Sequence, residues 1–237
     1  MGRADLARRF VAEFLGTAFL LIAIIGSGIL AERLSGGNAA IALFATTSAI
    51  SAALLALILT FGPISGAHFN PAVTICDALV KGISWRDACL YIAAQAIGAI
   101  TGVAAANVMF GYPALFESTK IRTGAGQWLG EFIAAFGLLA VIWGCSRIRS
   151  KMAVPVAVSA YIFAAIWFTS SASFANPAVT LARSMSDTYA GIRPADVPAF
   201  VIAQLLGALA ATFLFRWLAP GIKPEDVIMP HEGGSDE

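Results

Sequence analysis

Residues 65–74 read SGAHFNPAVT, and residues 171–180 read SASFANPAVT. The five residues Asn70 to Thr74 recur identically as Asn176 to Thr180. An Asn-Pro pair is a ready-made helix start, because Asn caps free backbone N–H groups and Pro has no N–H to lose at the first helical position. The sequence therefore predicts two short helices, from Asn70 to about Val80 and from Asn176 to about Ser186, each some 15 Å long at 1.5 Å per residue.

Flanking residues turn the repeated string into a repeated unit. Glu13 in AEFLGTAFLL precedes the first NPAVT, and Glu131 in GEFIAAFGLL precedes the second. Gln95 in AAQAIGAI follows the first, and Gln204 in IAQLLGALAA follows the second. The chain reads as one domain over residues 1–220, built of two halves at about 1–115 and 125–220.

Composition says what medium holds these halves. Of 237 residues, 59% are apolar and 12% charged, with a mean hydropathy of +0.81. Ordinary soluble domains carry about twice that charge fraction. Six apolar stretches, at about 10–31, 39–61, 88–110, 127–145, 153–172 and 197–218, are each long enough to cross a bilayer. The first has no small-residue cleavage site after it and reads as a span, not as a signal peptide. Three spans per half is an odd number, so the second half enters the membrane from the opposite face. The expected fold is all-α and integral to the membrane, with six transmembrane helices, two re-entrant half-helices and an inverted three-helix repeat.

Two half-helices entering from opposite faces meet N-terminus to N-terminus at the bilayer centre. The non-helical SGAHF and SASFA leading into them are tolerable at that depth only where they line a wet cavity or are buried in protein. A pore satisfies both conditions. Each helix start carries about half a positive charge, which repels cations, while the Asn70 and Asn176 amides can donate to a neutral hydroxylated solute.

Buried ionisable groups in a span mark coupling chemistry by default. Glu13 and Glu131 qualify, but their matched positions favour hydrogen bonding to the re-entrant backbone of each half, and Gln95 and Gln204 fit interhelical bonds. Gly98 with Gly102, and Gly207 with Ala211, would let helices pack closely. His68 either lines a vestibule and gates with pH or is an imidazole satisfied by its own loop. Cys76, Cys89 and Cys145 lie in or beside apolar segments and read as packing residues. Two histidines give no metal site and no cofactor motif is visible, and neither a nucleophile elbow nor a catalytic pair supports an enzyme. A net charge of +1 offers nothing to nucleic acid.

These residues together resemble the aquaporins, or major intrinsic proteins, over about residues 8–218. The resemblance implies half-helices meeting at Asn70, Pro71 and Ala72 and at Asn176, Pro177 and Ala178, with one pore per subunit and a homotetramer. It carries the selectivity filter to Ile50 (with Ser51 and Thr47 as neighbours), Ala164, Ser173 and Val179. The family usually has Arg where Val179 stands. Arg183, four residues on, would enter the filter by a sliding register that spoils the match of the two NPAVT strings. The implied filter is wide and uncharged, suited to glycerol, urea or neutral metalloid hydroxides such as arsenous acid and methylated arsenicals, with some water. Loss of the arginine predicts some proton or cation leak.

Ten Lys and Arg residues fall on the side of the termini and five (Arg33, Lys120, Arg122, Arg183, Arg193) on the other. The positive-inside rule puts both termini in the cytoplasm of a cell whose inner membrane holds the protein. The partners are the lipid bilayer and small neutral solutes. A secondary transporter on the same inverted repeat, and a closed-pore adhesion or scaffolding protein, are the competing functions. Residues 221–237, rich in Pro, Gly and acid, read as a disordered cytoplasmic tail.

Overall fold

The computed structural model describes residues 5–146, 148 and 150–220, so the acidic tail at 221–237 lies outside the described residues. Helices α1 (Leu6–Leu34), α2 (Ala39–Ser65), half-helix α3 (Pro71–Leu79) and α4 (Trp85–Met109) make the first half. Helices α5 (Ala125–Cys145), α6 (Ala153–Phe168), half-helix α7 (Pro177–Arg183) and α8 (Val197–Leu218) make the second. Among the described residues, five helices long and apolar enough to cross a membrane, a shorter apolar α6 and two half-helices are where the apolar stretches and Asn-Pro starts predict them. Two lengths differ. Helix α6 ends at Phe168 because residues 169–176 turn back inward, and α7 stops at Arg183 after seven residues.

Within each half the first and last long helices pack most closely, α1 on α4 and α5 on α8. The reason is matched glycines. A methyl group at Gly98 would strike the Phe14 carbonyl of α1, and one at Gly207 would strike the Phe132 carbonyl of α5. Small residues such as Ala94, Ala99, Ala208 and Ala211 are buried along these seams, while Phe19, Phe44, Ile97, Leu206 and Phe213 point outward. A lipid-facing helix gains nothing by hiding large apolar side chains, so close backbone approach decides what goes inside.

The two re-entrant loops repeat the same backbone. Ala67 and Phe69 in the first, and Ser173 and Ala175 in the second, all have φ between 47° and 51°. A left-handed residue other than Gly costs about 1–2 kcal/mol, so something must hold these four. Glu13 accepts from the backbone N–H groups of His68 (3.0 Å) and Phe69 (2.8 Å), and Glu131 from those of Phe174 and Ala175 (both 2.8 Å). Each carboxylate also accepts from a glutamine, Gln95 Nε2 at 2.8 Å and Gln204 Nε2 at 2.6 Å, and Glu13 from the Ser65 hydroxyl at 2.6 Å as well. Those glutamines reach on to Thr74 and Thr180 of the half-helices. Buried charge is tolerated when its lone pairs are filled in this way.

Candidate functional site: a lined channel and its mouth

Asn70 and Asn176 cap their half-helices through Oδ1, accepting from Ala72 N–H at 2.9 Å and Ala178 N–H at 3.0 Å. Their amide nitrogens cross between the halves. Asn70 Nδ2 donates to the Ala175 carbonyl at 2.8 Å, and Asn176 Nδ2 to the Phe69 carbonyl at 2.7 Å. One of the two amide hydrogens on each Asn is thus used to join the repeats. The other remains for the cavity that both residues line. Pro71 and Pro177 occupy the first position of their helices, and Ala72 and Ala178 are buried behind them.

That cavity, of about 270 Å³, extends from Val154 on α6 to Lys120 in the loop on the opposite face. Its wall is apolar and follows the helical repeat. Leu20 and Ile24 come from α1, Ile50, Leu54 and Ile58 from α2, Leu138 and Ile142 from α5, and Val158, Ile162 and Ile166 from α6. The re-entrant segments add a polar part to the lining, made by Asn70, Asn176 and Ser173, and Thr46 adds a hydroxyl from α2. The Ser173 hydroxyl is buried without a hydrogen-bond partner, which leaves it to a passing solute. His68 also lines the cavity, its Nδ1 3.0 Å from Thr74 Oγ1 and its Nε2 3.7 Å from Asp77 Oδ2. Side chains of the first half-helix satisfy its ring.

Three of the four expected filter residues, Ile50, Ser173 and Val179, line the cavity, and Thr47 and Ser51 are buried outside its lining. Ala164 does not. It is exposed on α6, where the inward face is the every-fourth-residue strip Val154, Val158, Ile162 and Ile166. Two residues past Ile162 is more than half a turn around the helix. The β-branched strip was visible in the sequence and is the better guide.

The expectation of an uncharged filter needs a second correction. Arg183 lines the cavity one turn beyond Val179 and is only 8% exposed. No sliding register is involved, because helical side chains lean toward the N-terminus of their helix. The Arg183 guanidinium lies over the Phe174 ring, 3.3 Å from its centroid, and its Nε donates to the Ala190 carbonyl. Arg122 lies against the same ring at 5.0 Å, and Lys120 also lines the cavity. Residues 110–124 are tied across this mouth by backbone bonds from Phe116 to Met185 and from Arg193 to Lys120. Positive side chains therefore stand at this mouth, supplied from α7 and from the loop before α5. Sequence reasoning missed Lys120, Arg122 and Tyr189, whose only signal was their distance from any span core.

Comparison with known proteins gives the family and the fold. The family model described as "Major intrinsic protein" matches residues 1–170 and 146–234. The chain is 52% identical over 224 residues to "Aquaglyceroporin AqpS" of Rhizobium meliloti (strain 1021), covering 94% of this chain and 95% of that one. It is 32% identical to "Probable aquaporin AqpM" of Archaeoglobus fulgidus, over 90% and 98% of the two chains. The X-ray structure of the aquaglyceroporin from Plasmodium falciparum superposes with a TM-score of 0.69 at 20% identity, covering 91% of this chain and 98% of that one, and so shares the fold.

Proposed function

The chain belongs to the major intrinsic protein family and is a multi-pass membrane channel for small neutral solutes; from that premise we propose that its solutes are small polyhydroxylated or amide molecules, glycerol and urea, and neutral metalloid hydroxides such as arsenous acid. One observation carries the reading. The cavity has a largely apolar wall, with donors and acceptors from Asn70, Ser173 and Asn176 on its re-entrant segments and the Thr46 hydroxyl on α2. A solute with hydroxyls along one edge and carbon or a metalloid on the other replaces its hydration shell there at little cost. At Val179, 2% exposed, an aliphatic side chain stands where a guanidinium would narrow the passage. Methylated derivatives fit the same apolar wall.

Both termini lie in the cytoplasm and the Lys120 mouth faces outward in this reading, supported by the asymmetry of Lys and Arg. The protein works as a homotetramer with one channel per subunit. Stopped-flow swelling of proteoliposomes in gradients of glycerol, urea and arsenous acid tests it. Solute entry well above that of empty vesicles and independent of proton or sodium gradients is expected. Water flux with every solute excluded overturns the solute assignment, and gradient-dependent flux would make the protein a driven transporter.

A further inference from the structure

Two arginines at one mouth of the channel are anchored in the same way and left with the same free edge. Arg183 donates Nε to the Ala190 carbonyl, and Arg122 donates Nε to the next carbonyl, Gly191, at 2.8 Å. Arg122 also reaches Ser171 O with Nη1 at 3.4 Å. Both guanidinium planes are thereby fixed. Among the described residues, no hydrogen bond holds either terminal nitrogen of Arg183 or Nη2 of Arg122, and no carboxylate pairs with either side chain. Since the Arg183 and Arg122 carbons lie 3.3 Å and 5.0 Å from one Phe174 centroid, they are no more than about 8 Å apart.

Lys120 completes the group. Its ammonium donates to the Tyr189 carbonyl at 2.7 Å and lies 4.9 Å from the Tyr189 ring centre. Burial, together with the charge of Arg122, lowers its basicity, against the weaker pull of Glu32 and Asp187. Asp187 is engaged by Thr119, and Glu131 behind the arginines by the loop N–H groups and Gln204. Three cations in a partly buried concavity, with Asp187 and Glu131 engaged elsewhere and only the Glu32 carboxylate acting on Lys120 to offset them, repel one another unless an anion sits between them. Two fixed guanidinium edges suit the oxygens of a planar or tetrahedral oxyanion.

We propose that Arg122, Arg183 and Lys120 form a binding site for a small oxyanion, of the phosphate or carboxylate class, at the mouth of the channel opposite the termini. The apolar wall that begins beyond Val179 gives a charge no partner, so the anion is held at the mouth. Its occupancy partly closes the route for neutral solutes, because Arg183 and Ser173 line one cavity.

Inorganic phosphate is the probe, titrated by calorimetry into the full-length protein in detergent at low ionic strength. Saturable binding is expected, weakened at least tenfold in Arg122→Gln and in Arg183→Gln and also weakened by added salt. Arg33→Gln, a change on the same face away from this cavity, leaves the affinity unaltered. Should Arg183→Gln not fold, Arg122→Gln and Lys120→Gln carry the test. Absence of saturable binding in the unmodified protein, or an affinity unchanged in Arg122→Gln, overturns the proposal. The site is argued on the channel reading, so glycerol swelling without phosphate is measured on the same preparations. Lost binding with intact flux sinks the anion site alone, and intact binding with no flux sinks the channel reading alone.

Discussion

Arg183 stands one helical turn after Val179 on α7, and its guanidinium reaches back over Phe174, the residue next to Ser173 of the cavity lining. On the proposed reading, charge and width are separated in this channel: a valine stands at position 179, while a guanidinium is delivered from the neighbouring turn. Removing charge from both Arg183 and Arg122 is therefore expected to raise proton or sodium entry well above that of the unmodified protein. Acidification of dye-loaded proteoliposomes checks this. An unmodified protein that leaks as readily as the double variant would show that the half-helix dipoles and the arginines together raise no barrier.

Val179→Arg supplies the converse. A second guanidinium on the same face of α7 fills part of the cavity and faces Arg183 as a like charge. Glycerol and urea flux should fall by about tenfold or more, comparable to 1–2 kcal/mol of added barrier, while water flux falls less. An unchanged solute profile in swelling assays would mean that position 179 does not bound the permeating path.

The carboxylates of Glu13 and Glu131 hold the loop N–H groups in the same way, and Glu13 accepts from Ser65 Oγ at 2.6 Å besides, so their loss should cost about the same, Glu13 somewhat more. Gln in place of either presents an N–H₂ to one of two loop N–H donors that now share the carboxylate. The clash of donors, and the left-handed residues it releases, should destabilise the fold by about 3–5 kcal/mol, the range for breaking a buried charged network. Thermal unfolding in detergent should rank Glu13→Gln and Glu131→Gln together, well below the unmodified protein. A large inequality would mean that one loop is held mainly by contacts other than its carboxylate.

Symmetry explains why so much of this was readable beforehand. Asn70 and Asn176, Glu13 and Glu131, Gln95 and Gln204 are each a pair, and a role inferred for one member is tested by the other within a single chain. Their donors and acceptors are fixed by residue type, and the spacing of the strings sets which helix brings them in. Ala164 failed because a count of residues back from Asn176 ignores which way α6 faces, and the facing is set by the strip ending in Ile162 and Ile166. Matching the two NPAVT strings leaves Arg183 outside the filter, since the lean of a helical side chain toward its N-terminus is a three-dimensional property that the matched strings do not contain. Arg122 and Lys120 have no counterpart in the first half. Their place at the mouth depends on the loop from 110 to 124 folding back over residues 184–193.

Close helix seams give a packing test. Gly98→Ala would press a methyl against the Phe14 carbonyl, and Gly207→Ala against that of Phe132, with backbone on the other side in both cases. Neither obstacle can rotate away. Each substitution should cost about 1–3 kcal/mol, whereas Gly126→Ala at the start of α5, where a methyl meets only the Ser170 hydroxyl at 4.0 Å, should cost little. Midpoints of thermal unfolding in detergent separate the two outcomes, and an unaffected Gly98→Ala would mean that α1 and α4 can slide apart without loss.

Asp196 supplies a pH test at the same mouth. Burial alone would raise its carboxyl, but the Arg193 side chain at 2.8 Å and the Arg122 backbone N–H at 2.9 Å outweigh it and hold the group below its usual value. A carboxyl depressed on folding contributes stability above its unfolded pKa of about 3.9, and that contribution disappears as pH falls through the lower folded value. Asp196→Asn should thus lower stability by about 1 kcal/mol at neutral pH, the order of a charged hydrogen bond with a half-exposed partner. The gap between the two proteins should shrink as the pH drops below 4. Phosphate affinity at pH 7 should fall as well, since Asp196 fixes the backbone of Arg122. Parallel unfolding curves for the two proteins at every pH would show that this bond does not form in solution.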